Sequence, residues 1–289
     1  MSDHNFDTGR AFLEREGRLL ERRLFAVVFD GAAPGGAIDV LRGYQNPDGG
    51  FGHGLEPDKR CPDSLPLDVE AAFGAMVVAG EADATMVRRA CDWLASVATP
   101  DGAVPLSFPV MEPYPRAEHM SEWTYEPGFN PTAGLVGLLH RMGIDHPWRE
   151  QAEAWCWATL DESGFPDEVH AMSEVMVFLV HVPDRARADA FAAQVGDWLP
   201  KLNMYRADPD DPGYGVSPLH FAPTPQSRWR ALFSDAQIDG HLDRLAADQQ
   251  PDGGFTIAWE PPGAAATLEW RGIQTLWALR TLAAYRGRT

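Results

Sequence analysis

Gln45-Asn46-Pro47-Asp48-Gly49-Gly50-Phe51 recurs as Gln249-Gln250-Pro251-Asp252-Gly253-Gly254-Phe255, an offset of 249 − 45 = 204. The register then holds without a gap, so Leu55-Glu56-Pro57-Asp58 falls on Trp259-Glu260-Pro261-Pro262. Two weaker copies lie between: Thr99-Pro100-Asp101-Gly102-Ala103-Val104-Pro105 and Asp161-Glu162-Ser163-Gly164-Phe165-Pro166. Asp-Gly-Gly stops a helix, because Asp hydrogen-bonds its own backbone and Gly supplies a positive φ. The Phe that follows packs the turn back on its hairpin, and the Gln bonds backbone groups nearby.

Outward from these turns, helical periodicity dominates and alternating strand patterns are nearly absent. Helices are predicted over 7–29, 35–45, 66–79, 83–97, 130–142, 147–160, 168–181, 185–202, 234–249 and 266–286. Each turn therefore ends one helix and leads through a proline-rich loop into another. One such hairpin cannot bury its own apolar face, so about five of them, with the N-terminal helix, must stack into a common core. The expected fold is all-α, with residues 1–289 as a single domain.

Gln-x-x-Asp-Gly-Gly-Phe at a helix end resembles the QW-type repeat of terpene cyclases and protein prenyltransferase β subunits. The resemblance covers most of the chain in pattern, but only the two outer copies in letters. It implies an α/α toroid in which inner and outer helices alternate around a central cavity. It also implies that the residues after each turn reach the cavity mouth: His53, Glu56, Asp58, Asp68 and Glu70; Trp123, Tyr125, Glu126 and Asn130; Glu168, His170 and Glu174; Asp208 to His220; Glu260, Glu269 and Trp270. The same toroid hosts cyclases, transferases and non-catalytic domains, so the fold alone does not fix the chemistry.

Asp208-Pro209-Asp210-Asp211 matches the DxDD spelling of class II terpene cyclases. That resemblance would make Asp210 the proton donor, with Asp208 and Asp211 orienting it. Such an acid must stay protonated in a dry pocket. Trp123, Tyr125, Tyr214, Trp229, Trp259 and Trp270 would supply π faces for a carbocation. Pro209, Pro212 and Gly213 support a second reading of the same stretch, a solvated turn.

His53 and Glu56 are three residues apart, as are His119 and Glu122; His170 and Glu174 are four apart and share a helix face. Each pair offers part of the three-ligand set a catalytic zinc needs. The Asp-x-Cys zinc pair of protein prenyltransferases is missing, which argues against that activity, and no metal is expected. Glu56, Glu70, Glu260 and Glu269 are candidates for a general acid/base pair of the kind that cleaves glycosides. Alternatively, the equivalent repeat positions of Glu56 and Glu260 suggest a shared structural job such as helix capping. Most other tryptophans sit among apolar helical residues and read as core. In the first helix, Arg10, Arg15, Arg18, Arg22 and Arg23 alternate with Glu14, Glu16 and Glu21, the pattern of pairing along a helix.

With 24 basic and 42 acidic residues the net charge is 24 − 42 = −18. That balance speaks against nucleic acid and anionic membrane surfaces. Cys61, Cys91 and Cys156 are an odd number at wide spacing, without a CxxC, as expected of free thiols in a reducing compartment. Residues 1–10 lack the features of a signal peptide, and no apolar run approaches a bilayer span, so a cytoplasmic protein without a membrane span is expected. No nucleotide fingerprint appears, so no cofactor is expected. Oligomeric state is open. Three functions fit: a terpene-cyclase-like enzyme using acid catalysis on an apolar or isoprenoid small molecule, a non-catalytic toroid holding an apolar ligand, and a carbohydrate-acting hydrolase with paired carboxylates.

Overall fold

In the computed structural model, which describes residues 3–211 and 213–286, the helix-ending turns explain how the helices are assembled. The described residues form twelve α-helices and no β-strand; extended residues pair only in isolated bridges. The helices divide between two units, one built from Met1–Ala32 and Met204–Thr289, the other from Ala33–Asn203.

The first unit holds α1 (Asp3–Glu16), α2 (Leu19–Asp30), α10 (Pro218–Phe221), α11 (Asp235–Ala247) and α12 (Ala264–Tyr285). The second holds α3 (Gly35–Arg42), α4 (Pro66–Ala79), α5 (Ala84–Val97), α6 (Phe129–Met142), α7 (Pro147–Ser163), α8 (Val169–His181) and α9 (Arg185–Trp198).

In the second unit α4, α6 and α8 pack side by side, and α5, α7 and α9 back them one each. The turn after α3 seats on α5. Gln45 Nε2 donates to Gly49 O at 2.8 Å and to Met86 O on α5 at 2.9 Å. Gly49 has φ +100°, and a Cβ there would fall on the Arg89 carbonyl, so only glycine fits. The next two turns follow the same plan with other letters. Trp148 Nε1 on α7 donates to Gly102 O at 3.0 Å, and Trp198 Nε1 on α9 donates to Pro166 O at 2.8 Å. The turns thus sit on α5, α7 and α9 in succession.

In the first unit the turn after α11 seats on α1. Gln249 Nε2 donates to Gly253 O at 2.9 Å and to Asn5 O at 2.8 Å. Gly253 has φ +94° and lies against the Thr8 carbonyl. Helix α12 packs on α1, α2 and α11.

The core of the second unit is aliphatic and aromatic: Leu65, Val69, Phe73 and Met76 from the α4 hairpin, Leu135, Val136 and Leu139 from α6, and Val175, Phe178 and Leu179 from α8 are fully buried. Each such side chain contributes about 1.5–3 kcal/mol on burial. Away from this core, α4 and α8 each keep a part-exposed stripe at helical spacing. On α4 it is Leu67, Glu70, Ala71, Gly74, Val77 and Val78; on α8, His170, Ser173, Glu174, Val177, Val180 and His181.

The helix expected over 7–29 is two helices. Arg18 takes an extended backbone (φ −59°, ψ 160°) and its guanidinium pairs with Glu21 at 2.7 Å, which starts α2 afresh. The three cysteines are buried thiols. No described helix is long and apolar enough to cross a membrane.

Candidate functional site

The loop after the first turn carries Lys59, one of only two lysines among 24 basic residues. Its side chain is fully buried, which an ammonium tolerates only beside compensating charge. Nζ lies 2.9 Å from Glu56 Oε2 and 2.9 Å from Asp68 Oδ2, in the first turn of α4. Asp68 Oδ1 in turn accepts from Glu56 N at 2.9 Å, which ties the loop to the helix start. Burial alone would push the Lys59 ammonium down, but Asp68 and Glu56 outweigh it and hold it above the ordinary lysine value. Burial pushes Asp68 up to about 6, against the opposing pull of Lys59.

Two residues along α4 stands Glu70, hydrogen-bonded to Glu174 of α8. Two carboxyls make that bond only when they share a proton, because like charges so close cannot both ionise. Burial is the largest influence on both. It drives Glu70 well above the carboxylate range, and the Glu174 charge adds to it. Glu174 is raised by burial too, while the bond from Glu70 and the charge of His170 pull it back. The pair titrates as a unit, and burial favours one proton on it over two charges. Room for the pair comes from α6, where a Cβ on Gly134 would overlap Glu174 Oε2 and come within 2.7 Å of Glu70 Oε1.

Two histidines flank the pair. His170 lies one turn before Glu174 on the same face of α8, and its Nδ1 bonds Glu168, the residue that caps α8 through His170 N (2.9 Å) and Ala171 N (2.8 Å). His119 Nε2 lies 3.6 Å from Asp58 Oδ2, in a loop pinned by the bond from Ala117 N to Asp58 O at 2.7 Å. Burial lowers the His119 pKa, Glu56 opposes that, and His170 reinforces it. One proton shared between two carboxyls gives the site an acid and a base at once.

The structure brings Glu56, Asp58, Asp68, Glu70, Glu168, His170 and Glu174 to this place. Trp123 and Tyr125 pack beside it on Cys61, Leu65, Met111 and Met120; the Trp123 ring lies 5.8 Å from that of His119, and Tyr125 Oη donates to Glu112 at 2.8 Å. His53 lies elsewhere, an exposed turn residue with φ +60° whose Nε2 sits 2.9 Å from Asn46 Oδ1. Glu260 is exposed, whereas Glu56 is buried, so equal repeat position does not bring equal environment.

Tyr214, Trp259 and Trp270 come together in the first unit, with ring centroids 5.5 and 4.9 Å apart and near-perpendicular planes. Asp208, Asp210 and Asp211 lie in an exposed turn, where Asp208 Oδ1 accepts from Asp210 N at 2.9 Å. They lack the dry surroundings an acid role needs; Pro212 lies outside the described residues. A depression of about 500 Å³ in the first unit is lined by Gln250, Pro251, Asp252, Thr256, Ile257 and Arg271. Arg271 is engaged there in a bidentate pair with Asp252 at 2.9 and 2.7 Å, so no uncommitted charge faces a ligand. No group of three or more His, Cys, Asp or Glu among the described residues is placed to hold a metal ion.

Sequence reasoning had Glu70 and Glu174 on separate lists and missed Lys59 and Gly134. The signal for Lys59 was its rarity: a chain that otherwise uses arginine keeps a compact ammonium where two carboxylates close in. Gly134 carried no signal beyond being a glycine inside a helical pattern.

No family model matches the chain, and no curated protein matches it. It is similar to a protein from Actinoplanes known from a crystal structure, at 19% identity and a TM-score of 0.56, over 97% of this chain and 99% of that one. A likeness at that identity speaks for the fold alone.

Proposed function

We propose that this chain is an α/α toroid enzyme of acid–base type, which activates a water to hydrolyse a small polar molecule. Support for the toroid is the layered array of α4, α6 and α8 backed by α5, α7 and α9, with turns seated on α5, α7 and α9 in succession and the turn after α11 seated on α1. Support for the chemistry rests on one observation, the convergence of the Glu70 and Glu174 carboxyls over Gly134, where burial raises the pKa of both. Glu174 takes a proton from water as its oxygen attacks, and Glu70 gives its own to the departing oxygen or nitrogen. The pair then holds one proton again, now on Glu174, and returns it along the hydrogen bond.

The charge of Glu56 bears on Glu70 and that of Glu168 on Glu174, so the substrate is neutral or cationic rather than anionic. The stripes on α4 and α8 carry no Phe, Tyr or Trp, so the π faces near the pair are those of Trp123 and Tyr125 in the neighbouring loop, fewer than a carbocation path needs, which favours hydrolysis over cyclisation. Carboxyls that flank a glycosidic bond stand about 5–9.5 Å apart, wider than a hydrogen-bonded pair. Esters and amides therefore rank ahead of glycosides.

The test is a panel of neutral and amine-bearing esters, amides and glycosides, with Glu70→Gln and Glu174→Gln as controls. The expected result is turnover with a bell-shaped pH profile: too much acid protonates Glu174, too much base strips Glu70. Either substitution should lower kcat by about 10²–10⁴ with the fold intact. Full turnover in both variants would defeat the assignment. The valines below the acids, Val77, Val78, Val177 and Val180, support a second reading, an apolar-ligand module, for which binding without turnover would be the sign.

A further inference from the structure

We propose that Tyr214, Trp259 and Trp270 of the first unit form a binding corner for a methylated ammonium group. The three rings come from three elements: the loop before α10, the loop that follows the turn at 249–255, and the second turn of α12. Trp259 meets both of the others. Its centroid lies 5.5 Å from that of Tyr214 and 4.9 Å from that of Trp270, with its plane turned 78° and 80° from theirs. Tyr214 is 37% exposed, and Trp259 and Trp270 are half-buried, so the cluster meets solvent instead of closing a core.

Backbone bonds fix where Tyr214 stands. Arg206 Nη2 donates to Tyr214 O at 2.7 Å, while Arg206 N donates to Val216 O and Val216 N to Met204 O, each at 2.9 Å. His241 Nε2 of α11 lies 3.2 Å from Ala207 O at the other end of the loop. A Cβ on Gly215 would fall 2.4 Å from Met204 O, so the chain beside the ring has no slack. A ring presented by a pinned loop costs a ligand little ordering.

Ring geometry selects the occupant. A sugar or a planar base lies flat on one face. Rings at successive right angles bound a corner instead, which suits a compact, rounded group. Each face carries the negative side of the ring quadrupole and attracts a cation within about 6 Å of its centroid. A primary ammonium holds its water strongly, whereas a methylated one spreads its charge over methyl groups and loses little hydration against aromatic carbon. The surrounding charge has the matching sign. Exposed Glu260 follows Trp259, Glu269 precedes Trp270, and exposed Asp210 and Asp211 share the loop with Tyr214, in a chain of net charge −18. The ammonium therefore belongs to a ligand without a carboxylate or phosphate of its own.

The test compares two probes of one shape: choline and its neutral analogue, in which carbon replaces the nitrogen. Each gives a sharp methyl signal that saturation-transfer NMR follows during titration. Choline should bind about tenfold more tightly than the analogue. Trp259→Ala should weaken choline about tenfold and Tyr214→Ala about threefold, with smaller changes for the analogue. Tyr214→Ala removes an exposed ring outside the core, so the test survives a folding defect in Trp259→Ala. A peptide carrying trimethyllysine is titrated alongside; tighter binding than choline assigns the group to a protein chain and weaker binding to a small molecule, with the same corner in both cases. Equal affinity for choline and its carbon analogue overturns the cation. Choline binding that is unchanged in both variants, or absent from the unaltered protein, overturns the corner.

Discussion

The turns at 45–51 and 249–255 make matching bonds, yet the chain that follows them is chemically different. Gln45 and Gln249 each bridge their own turn to a neighbouring helix backbone at 2.8–2.9 Å, and Gly49 and Gly253 each lie against a carbonyl of that helix. Those partners are main-chain atoms, present whatever the side chains, so the turn can be reused wherever one helix end meets another helix.

The loops after the turns depend on side chains. At the offset of 204, Lys59 falls on Gly263, Asp68 on Gly272 and Glu70 on Gln274. One copy buries a charged triad and an acid; the other keeps only Glu260, exposed, beside neutral residues at the remaining three positions, with Trp259 and Trp270 packed edge to face nearby. Repetition here builds scaffold, and chemistry lives where repetition stops.

Three measurements would break or sharpen that contrast. The largest effect is expected from Lys59→Met, which leaves Glu56 and Asp68 buried without a counter-ion and should cost about 3–5 kcal/mol in chemical denaturation. Its counterpart in the other copy, Glu260→Ala, removes an exposed carboxylate and should stay within about 0.5 kcal/mol. Equal effects would erase the distinction between the loops.

Next comes pH. Asp68 has a folded value of about 6 against an ordinary 3.8, so the fold favours its protonated form. The stability this confers is fully present below about pH 4 and is lost as pH rises through 6, about 3 kcal/mol in all. Asp68→Asn should flatten the stability profile across that window; an unaltered slope would mean that other groups set it. The smallest effect belongs to the shared turn. Gln45→Ala and Gln249→Ala each remove two close bonds to the main chain and one longer bond to a side chain (Arg89 at 3.4 Å, Thr8 at 3.3 Å), and should each cost about 1–2 kcal/mol, equal within about 0.5. A clear inequality would show that the two turns only look alike.

The all-α class and most helix positions were legible because helical spacing and Asp-Gly stops are local signals. Pro66, Pro147 and the side chain of Asp83, which accepts from Thr85 N and Met86 N, sit at helix starts for reasons a sequence states outright. The break at Gly17 was not legible, since the apolar stripe runs on through it. Of the site, Asp68, Glu70, Glu168, His170 and Glu174 stood out as acids and a histidine near helix starts. What could not be read was which carboxyl meets which. Glu70 and Glu174 are 104 residues apart (174 − 70) and join only because α4, α6 and α8 lie in one row. Likewise, the DxDD spelling at 208–211 identifies residue types but says nothing of burial, and burial decides whether an aspartate can hold a proton.

Gly134 gives the protein an unusual evolutionary exposure. The two acids meet in a space that exists only because α6 lacks a side chain at that point, so a single methyl group there would evict them while the surrounding helices kept their packing. On the acid–base reading proposed above, the difference between a protein with the paired acids and one without them would be one conservative-looking substitution, alanine at 134.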